Sequence, residues 1–465
     1  MKNIFLVHNI KLLVSLLVIC SLCFSCKKWV EIPAPKDRIT SDVVFSDSST
    51  VMTAIAGIYY NFGYFNNINS TSINGWYLSV YPGLSSDELL PSNAWEFEIN
   101  SLKKENSIIS SLWSTGYSSI YRVNACIEGI NESEGIRAEL KQRLIAEMKV
   151  LRALNYFHLI NLYGGVPIVT TTDYAVNTSL SRAPVNDVYQ QIVTDLTDAR
   201  QYLKAGYPST GRARPNLYTA TALLAKVYLY QQNWTGAETM AKEVINSGLY
   251  SIVSDLNNVF LSGSTEAIWQ LPTAGGANVQ TQEGYGFVPA NTTSIPSHFL
   301  TPSLLNAFES GDQRRIKWVG TNNVGANMYY YPLKYKNRVP TAIPREDYML
   351  FRLAEQYLVL AEALAQQNKL SEAQPYLNQI RNRAGLIAVN PTTQTDMLNA
   401  IMQERRIELF CERGNRWFDL KRTGKANTAL GALKPGTWQP EDTLYPIPFS
   451  EILYNPNLVQ NPGYN

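Results

Sequence analysis

Apolar positions recur at helical spacing through most of the chain, and the recurrence lapses in two long stretches. Val51, Ala54, Ile55 and Ile58 repeat at i, i+3, i+4 and i+7 behind possible N-caps at Ser46 to Ser49. Helices are predicted over 112–130 and 140–162. The second stops at Gly164-Gly165, as a left-handed C-cap requires, and Val166-Pro167-Ile168-Val169 leaves it as a short strand. A further helix over 184–203 places Val188, Ile192, Leu196, Ala199 and Leu203 on one face. Residues 214–247 read as a helix–turn–helix broken at Gln232-Asn233, and helices return over 347–367, 371–384 and 397–420. Residues 421–465 are rich in Pro and Asn and poor in helix signals.

Two hairpins share a small-residue pattern. Leu224-Ala225 and Tyr228 precede Ala237, while Leu360-Ala361 and Leu364 precede Ala373, so the two alanines stand twelve residues apart in both. Small residues at this spacing let antiparallel helices approach closely, as in tetratricopeptide arrays. The fold class predicted is therefore mainly α, a scaffold of tetratricopeptide-like hairpins with short strands. Its two irregular zones, over 61–110 and 248–345, are full of Asn, Ser, Gly and aromatic residues. Long aperiodic stretches inside a compact protein predict functional loops.

The first 25 residues read as a separate element. Lys2 and Lys11 precede the apolar run 12–19 and the segment Leu22-Cys23-Phe24-Ser25, a greasy core too short to span a bilayer. A Cys directly after such a segment resembles a bacterial lipoprotein signal, although Cys23 and Phe24 depart from the usual residues before the cut. Cleavage would remove 1–25 and leave Cys26 to be lipidated. Residues 26–41, stiffened by Pro33 and Pro35, would then tether a single body over 42–465. The two-residue spacing of Cys20, Cys23 and Cys26 imitates a metal run, but two of the three are removed with the signal. Cys126 and Cys411 remain, with pairing between them left open.

Composition narrows the chemistry. The chain carries 40 Lys and Arg against 38 Asp and Glu; losing the signal removes two Lys and no acid, so the charges balance, which argues against nucleic acid. The mature part keeps His158 and His298, without a close His pair or a Cys/His cluster, so no metal site is expected. Acid pairs at Asp87-Glu88, Glu96/Glu98 and Glu441-Asp442 could in principle serve a glycosidase, which needs two carboxylates across a cleft. Over 404–422, opposite charges fall at helical contact spacing and predict ion pairs: Arg405 with Glu408, Glu412 with Arg416, Arg416 with Asp419, Asp419 with Arg422.

Longer segments carry a family resemblance. Residues 147–167 (from Glu147-Met-Lys-Val-Leu-Arg152 to Tyr163-Gly-Gly-Val-Pro167), 214–229, 404–422 and 444–464, with Leu444-Tyr-Pro446-Ile-Pro448 and Asn461-Pro462-Gly463-Tyr464, closely resemble the SusD/RagB family of surface nutrient-binding lipoproteins of the Bacteroidetes. The resemblance covers the mature chain in order and divides its body into an N-terminal part, 42–345, and a C-terminal part, 346–465. It implies a lipid-anchored outer-membrane protein facing the exterior. Such a protein is no enzyme: it catches an oligosaccharide and passes it to a SusC-like TonB-dependent β-barrel transporter. Lys27-Lys28 with only Glu31 departs from the acidic start common in exported members. Ligand loops are implied near 61–110 and 272–345. Flat rings beside amides suit the apolar faces and polar edges of sugars, so Trp76, Asn93, Trp95, Tyr285 and Trp318 are the expected contacts. Capture of a peptide is the alternative, with glycoside hydrolysis a remote third. No cofactor is implied, and a structural calcium ion stays an open question.

Overall fold

The computed structural model describes residues 41–63, 72–93, 95–273, 280–340 and 342–464; the signal, Cys26 and the tether up to residue 40 lie outside them. The first long helix, α1 (Ser48–Gly63), begins where the Asp47 carboxylate accepts the backbone N–H groups of Ser49 at 2.7 Å and Thr50 at 3.0 Å. A short helix α2 (Tyr77–Ser85) precedes α3 (Ser107–Glu132) and α4 (Ala138–Tyr163), which ends at Gly164 with φ +74°. Next come α5 (Val185–Tyr202), α6 (Leu217–Tyr230) and α7 (Trp234–Asn246), then two short helices, α8 (Gln282–Phe287) and α9 (Gln313–Lys317). The C-terminal part supplies α10 (Leu353–Gln366), α11 (Leu370–Arg383), α12 (Gln394–Glu408), α13 (Asn415–Arg422) and α14 (Ala426–Leu433).

The long helices pack in sequence: α3 on α4, α4 on α5, α5 on α6, α6 on α7, α7 on α10, and α10 on both α11 and α12. This is the tetratricopeptide-like scaffold anticipated. Ala225, Ala237, Ala361 and Ala373 are all fully buried at the hairpin contacts. The turns match as well. Gln232 and Asn368, each seven residues beyond the first alanine of its hairpin, both take φ +59°.

Four expectations need correction. The helix predicted over 347–367 begins as a strand, β6 (Tyr348–Arg352), paired antiparallel with β2 (Ala267–Leu271). Every residue of both strands is buried, so the apolar run has no polar face by which periodicity could separate strand from helix. The helix predicted over 397–420 is two, α12 and α13. Cys411 (φ +52°), Arg413 (φ +49°) and Gly414 (φ +71°) reverse the backbone between them. Helix α2 lies inside the zone read as loop, with Pro82 within it. Val166 forms only an isolated bridge with Ala183. Cys126 and Cys411 are both buried free thiols.

The charges over 404–422 pair differently from their helical spacing. Of the four pairs predicted from helical spacing, Asp419–Arg422 forms, at 2.7 Å. The others are replaced by long-range partners: Arg405 binds Asp419 at 2.8 Å, and Arg416 binds Asp87 at 2.7 Å. Glu408 is fully buried and faces Arg314 at 3.0 Å together with Arg352 and Arg383. Around them Arg314 also meets Asp312 (2.8 Å) and Glu404 (2.5 Å), Arg352 and Arg383 share Glu266 (both 3.0 Å), and Glu412 takes Arg352 (2.7 Å) and Lys334 (2.6 Å). The network joins Glu266 just before β2, α9, the segment after the hairpin β4 (Val319–Val324)–β5 (Asn327–Pro332), β6, α11 and α12. Glu147 and Arg152 are structural in the same manner, bound to Arg214 at 2.7 Å and to Asp195 at 2.6 Å.

Burial opposes ionisation of these carboxylates; it prevails at Glu404 and Glu147, whose carboxyls are pushed up, whereas at Glu408 and Asp419 the surrounding cations win. Arg383, Arg352 and Arg314 hold Glu408 well below its ordinary range, and Arg405 with Arg422 holds Asp419 down to about 2. Two outcomes follow. Glu408→Gln strips the shared counter-charge from three buried guanidinium groups and should cost about 3–5 kcal/mol in urea unfolding. Glu408 and Asp419 ionise more readily folded than unfolded. Their stabilisation is therefore complete above the usual carboxylate range near 4 and is lost as pH falls towards about 2. The melting temperature, followed by circular dichroism, should fall steeply across that window.

Candidate functional site

Two chain segments far apart in sequence are clipped together at the site. Strand β1 (Leu89–Pro91) pairs antiparallel with β3 (His298–Leu300), setting Pro91 opposite His298 and Leu89 opposite Leu300. The ladder continues at both ends: the Ser92 N–H donates to the Ser297 carbonyl at 3.0 Å, and the Thr301 N–H to the Glu88 carbonyl at 3.0 Å. Asp87, just before β1, is held by Arg416 at 2.7 Å and Arg406 at 2.7 Å, which fixes the clip to the C-terminal helices.

Beside this clip lies a cavity of about 480 Å³. Trp76, Asn93, Trp95 and Tyr285, four of the five residues expected to contact ligand, line it together. The Trp95 ring is 41% exposed and stacks on Tyr81, with centroids 5.8 Å apart and planes 16° from parallel. Trp76 is half-buried and meets Phe287 edge-on at 5.7 Å. His298 stands between the two indoles, 5.7 Å from Trp76 and 5.9 Å from Trp95. Arg338 lies over the Tyr285 ring at 4.5 Å and donates through Nη1 to the carbonyls of Val288, at 2.6 Å, and Tyr285. Ser92, Gln282, Ser294 and Ser297 add polar lining.

The indole of Trp76 depends on a missing side chain. A Cβ on Gly286 would lie 2.2 Å from Trp76 Cζ3, so only glycine admits the ring here. The Ser297 hydroxyl donates to the Gly286 carbonyl at 2.7 Å and holds the two loops at this spacing. Burial pushes the His298 imidazole down to about 4, so it is neutral at physiological pH. In that form one ring nitrogen donates and the other accepts.

Trp318 is not at this surface. It is fully buried, donates from Nε1 to the Leu256 carbonyl at 2.9 Å, and presents its ring to Lys334 (4.7 Å), Arg383 (5.7 Å) and Arg352 (5.9 Å). Its role is to wall off the buried ion-pair network, where delocalised cations pack against an indole face. His298 and Arg338 were not among the expected contacts. His298 had a sequence signal, as the one histidine of the second irregular zone, whereas Arg338 was one arginine among many.

The acid pairs considered for catalysis are used elsewhere. Asp87 is bound by two arginines, and Glu88 accepts the Cys411 N–H at 3.1 Å, its carboxyl pushed up to about 8 by burial and then by the charge of Asp87. Glu96 accepts from the Asn106 amide at 2.9 Å. A larger cleft, about 580 Å³, opens among α6, α7, α10 and α12 to α14, lined by Leu229, Trp234, Leu398 and Met402. Its Arg422 is committed to Glu362, at 2.5 Å, and to Asp419. An exposed and a half-buried indole beside amides and hydroxyls set the smaller cavity apart as the candidate site.

Comparison with known proteins gives consistent matches. The profile described as the SusD family matches residues 317–464, and that described as "Starch-binding associating with outer membrane" matches residues 37–229. A SusD-like protein of Formosa agariphila is 24% identical over a 516-residue alignment covering 95% of this chain and 96% of the relative. The starch-binding protein SusD of Bacteroides thetaiotaomicron is 24% identical over 427 residues, covering 72% and 75%. Among solved structures, a laminarin-binding SusD-like protein superposes with a TM-score of 0.74 at 25% identity, over 90% of this chain and all of that one. A SusD superfamily protein from Parabacteroides distasonis gives 0.77 at 23% identity, over 92% and 100%.

The close approach at Gly286 is directly testable. Gly286→Ala should displace the Trp76 indole and cost about 1–3 kcal/mol through overpacking. A changed near-ultraviolet circular dichroism signal with unaltered helix content should accompany the loss, and an unchanged aromatic spectrum would count against this packing.

Proposed function

Because the chain belongs to the SusD/RagB family, we propose that it captures an oligosaccharide at the outer membrane and delivers it, uncleaved, to a SusC-like TonB-dependent transporter. The observation that carries the reading is the paired ring platform. Trp95 is exposed, backed by Tyr81, and separated from Trp76 by a neutral imidazole, all above a cavity of about 480 Å³. Sugar rings present apolar C–H faces to such indoles, while Asn93, Ser92 and Ser297 stand ready for the hydroxyl edges. Among the described residues no carboxylate lines the cavity, so the acid and base of a glycosidase are not assembled there. Holding without bond cleavage is the chemistry this lining supports. The starch-binding and laminarin-binding relatives point to the same ligand class.

Lipid attached to Cys26 anchors the protein, and residues 26–41 give the body reach above the membrane surface. Several acyl chains, at about 0.8 kcal/mol for each buried methylene, make the attachment effectively permanent. No helix among the described residues is long and apolar enough to cross a membrane.

A glycan array followed by calorimetry tests the reading. An oligosaccharide should bind, and Trp95→Ala should weaken it about tenfold or more without shifting the melting temperature, since the indole is partly exposed. Undiminished affinity in both Trp95→Ala and Trp76→Ala would sink this site. Selective binding of peptides instead of glycans would replace the ligand class.

A further inference from the structure

The cavity holds a cation with no opposite charge. Arg338 lines it, and among the described residues no acid pairs with Arg338 and none lines the cavity. Arg314, Arg352, Arg383, Arg405 and Arg422, all deeper in the protein, each face at least one carboxylate, while the buried Arg413 is held by a carbonyl, a hydroxyl and an imidazole. Arg338 is fixed differently. Its Nη1 is spent on the carbonyls of Val288 and Tyr285, and its plane rests on the Tyr285 ring. Anchored so, the guanidinium is pre-organised, and its Nε and Nη2 donate to no described residue. That edge is the fork which grips a carboxylate or sulfate through two parallel hydrogen bonds.

Two more nitrogens agree with this. Trp76 Nε1 and His298 Nδ1 are shielded and have no hydrogen-bond partner among the described residues, and both side chains line the cavity. His298 is only 6% exposed. An indole N–H can only donate, and a neutral imidazole can donate from Nδ1. With the Asn93 amide, the lining is rich in donors and contains a positive charge.

We propose that the ligand is an anionic oligosaccharide, one carrying uronate carboxylates or sulfate esters, with Arg338 as the residue that selects the charged group. This deepens the carbohydrate reading and rests on it. A neutral glycan can stack on the same indoles, but it leaves the guanidinium without a counter-charge. The specificity therefore resides in the ratio between charged and neutral ligands of similar length.

Calorimetry on the mature chain with three probes tests this: a neutral β-glucan oligosaccharide, an oligogalacturonate and a sulfated galactan oligosaccharide. At low salt one anionic probe should bind about tenfold tighter than the neutral one, and which of the two does so identifies the group. Raising salt to about 0.5 M should shrink that advantage. Arg338→Gln should bring the ratio to parity whatever happens to absolute affinity, and Arg338→Lys should keep part of the preference. Equal binding of neutral and anionic probes by the unaltered protein, or a preference that survives Arg338→Gln or high salt, overturns the proposal and leaves carbohydrate capture standing. Binding of acidic peptides with no glycan bound in any arm overturns the carbohydrate reading itself.

Discussion

The molecule depends on a cluster of arginines and carboxylates taken out of water together. Moving a single ion into a protein interior costs several kcal/mol, so such groups persist only where geometry and charge balance are both satisfied. Glu408 meets three guanidinium groups because α12 ends there and the following turn redirects the chain. Trp318, Phe260 and Phe410 surround the cations with rings and keep water away. A cluster of this kind is poor at adding net stability but strict about arrangement. Its members come from the helical hairpins and from the irregular zone between α7 and α10. That zone has little periodic structure of its own, and the ion pairs with the β2–β6 ladder give it a single position on the scaffold.

The ligand face is built on that fixed base. Helix α2 sits buried with Trp76 at its start, Asp87 is gripped by Arg406 and Arg416, and the β1–β3 ladder then brings the second zone alongside. Each step restricts the next until two indoles, an imidazole and a guanidinium share one cavity. The candidate site is thus carried by loops, but by loops whose backbones are paired and whose ends are bolted to helices.

The helical scaffold was legible because its signals are local. Apolar spacing, capping residues and the alanine pairs at Ala225/Ala237 and Ala361/Ala373 all act within one hairpin. That Trp76, Asn93, Trp95 and Tyr285 lie in the irregular zones was legible from composition, since aromatic and amide residues crowd them, and the structure gathers the four around one cavity. The failures share a different cause. Trp318 could not be told from an exposed tryptophan because burial depends on partners such as Lys334 and Arg352, which are close in space and undistinguished in sequence. Of the pairs misassigned in 404–422, Glu412–Arg416 failed because Cys411, Arg413 and Gly414 turn the chain between them, whereas Arg405–Glu408 and Arg416–Asp419 lie within single helices and lost out to partners distant in sequence. Strand β6 escaped because a fully buried segment shows no alternation.

The pairing of Pro91 with His298 has a consequence for how the protein is made. A chain synthesised from its N-terminus delivers Trp76 and Trp95 long before Tyr285 and His298 arrive. Contacts at such sequence separation form late, after the entropy of closing the intervening loop has been overcome. A partly made molecule therefore has both indoles without the imidazole between them, and the cavity closes only once the polypeptide is finished and folded.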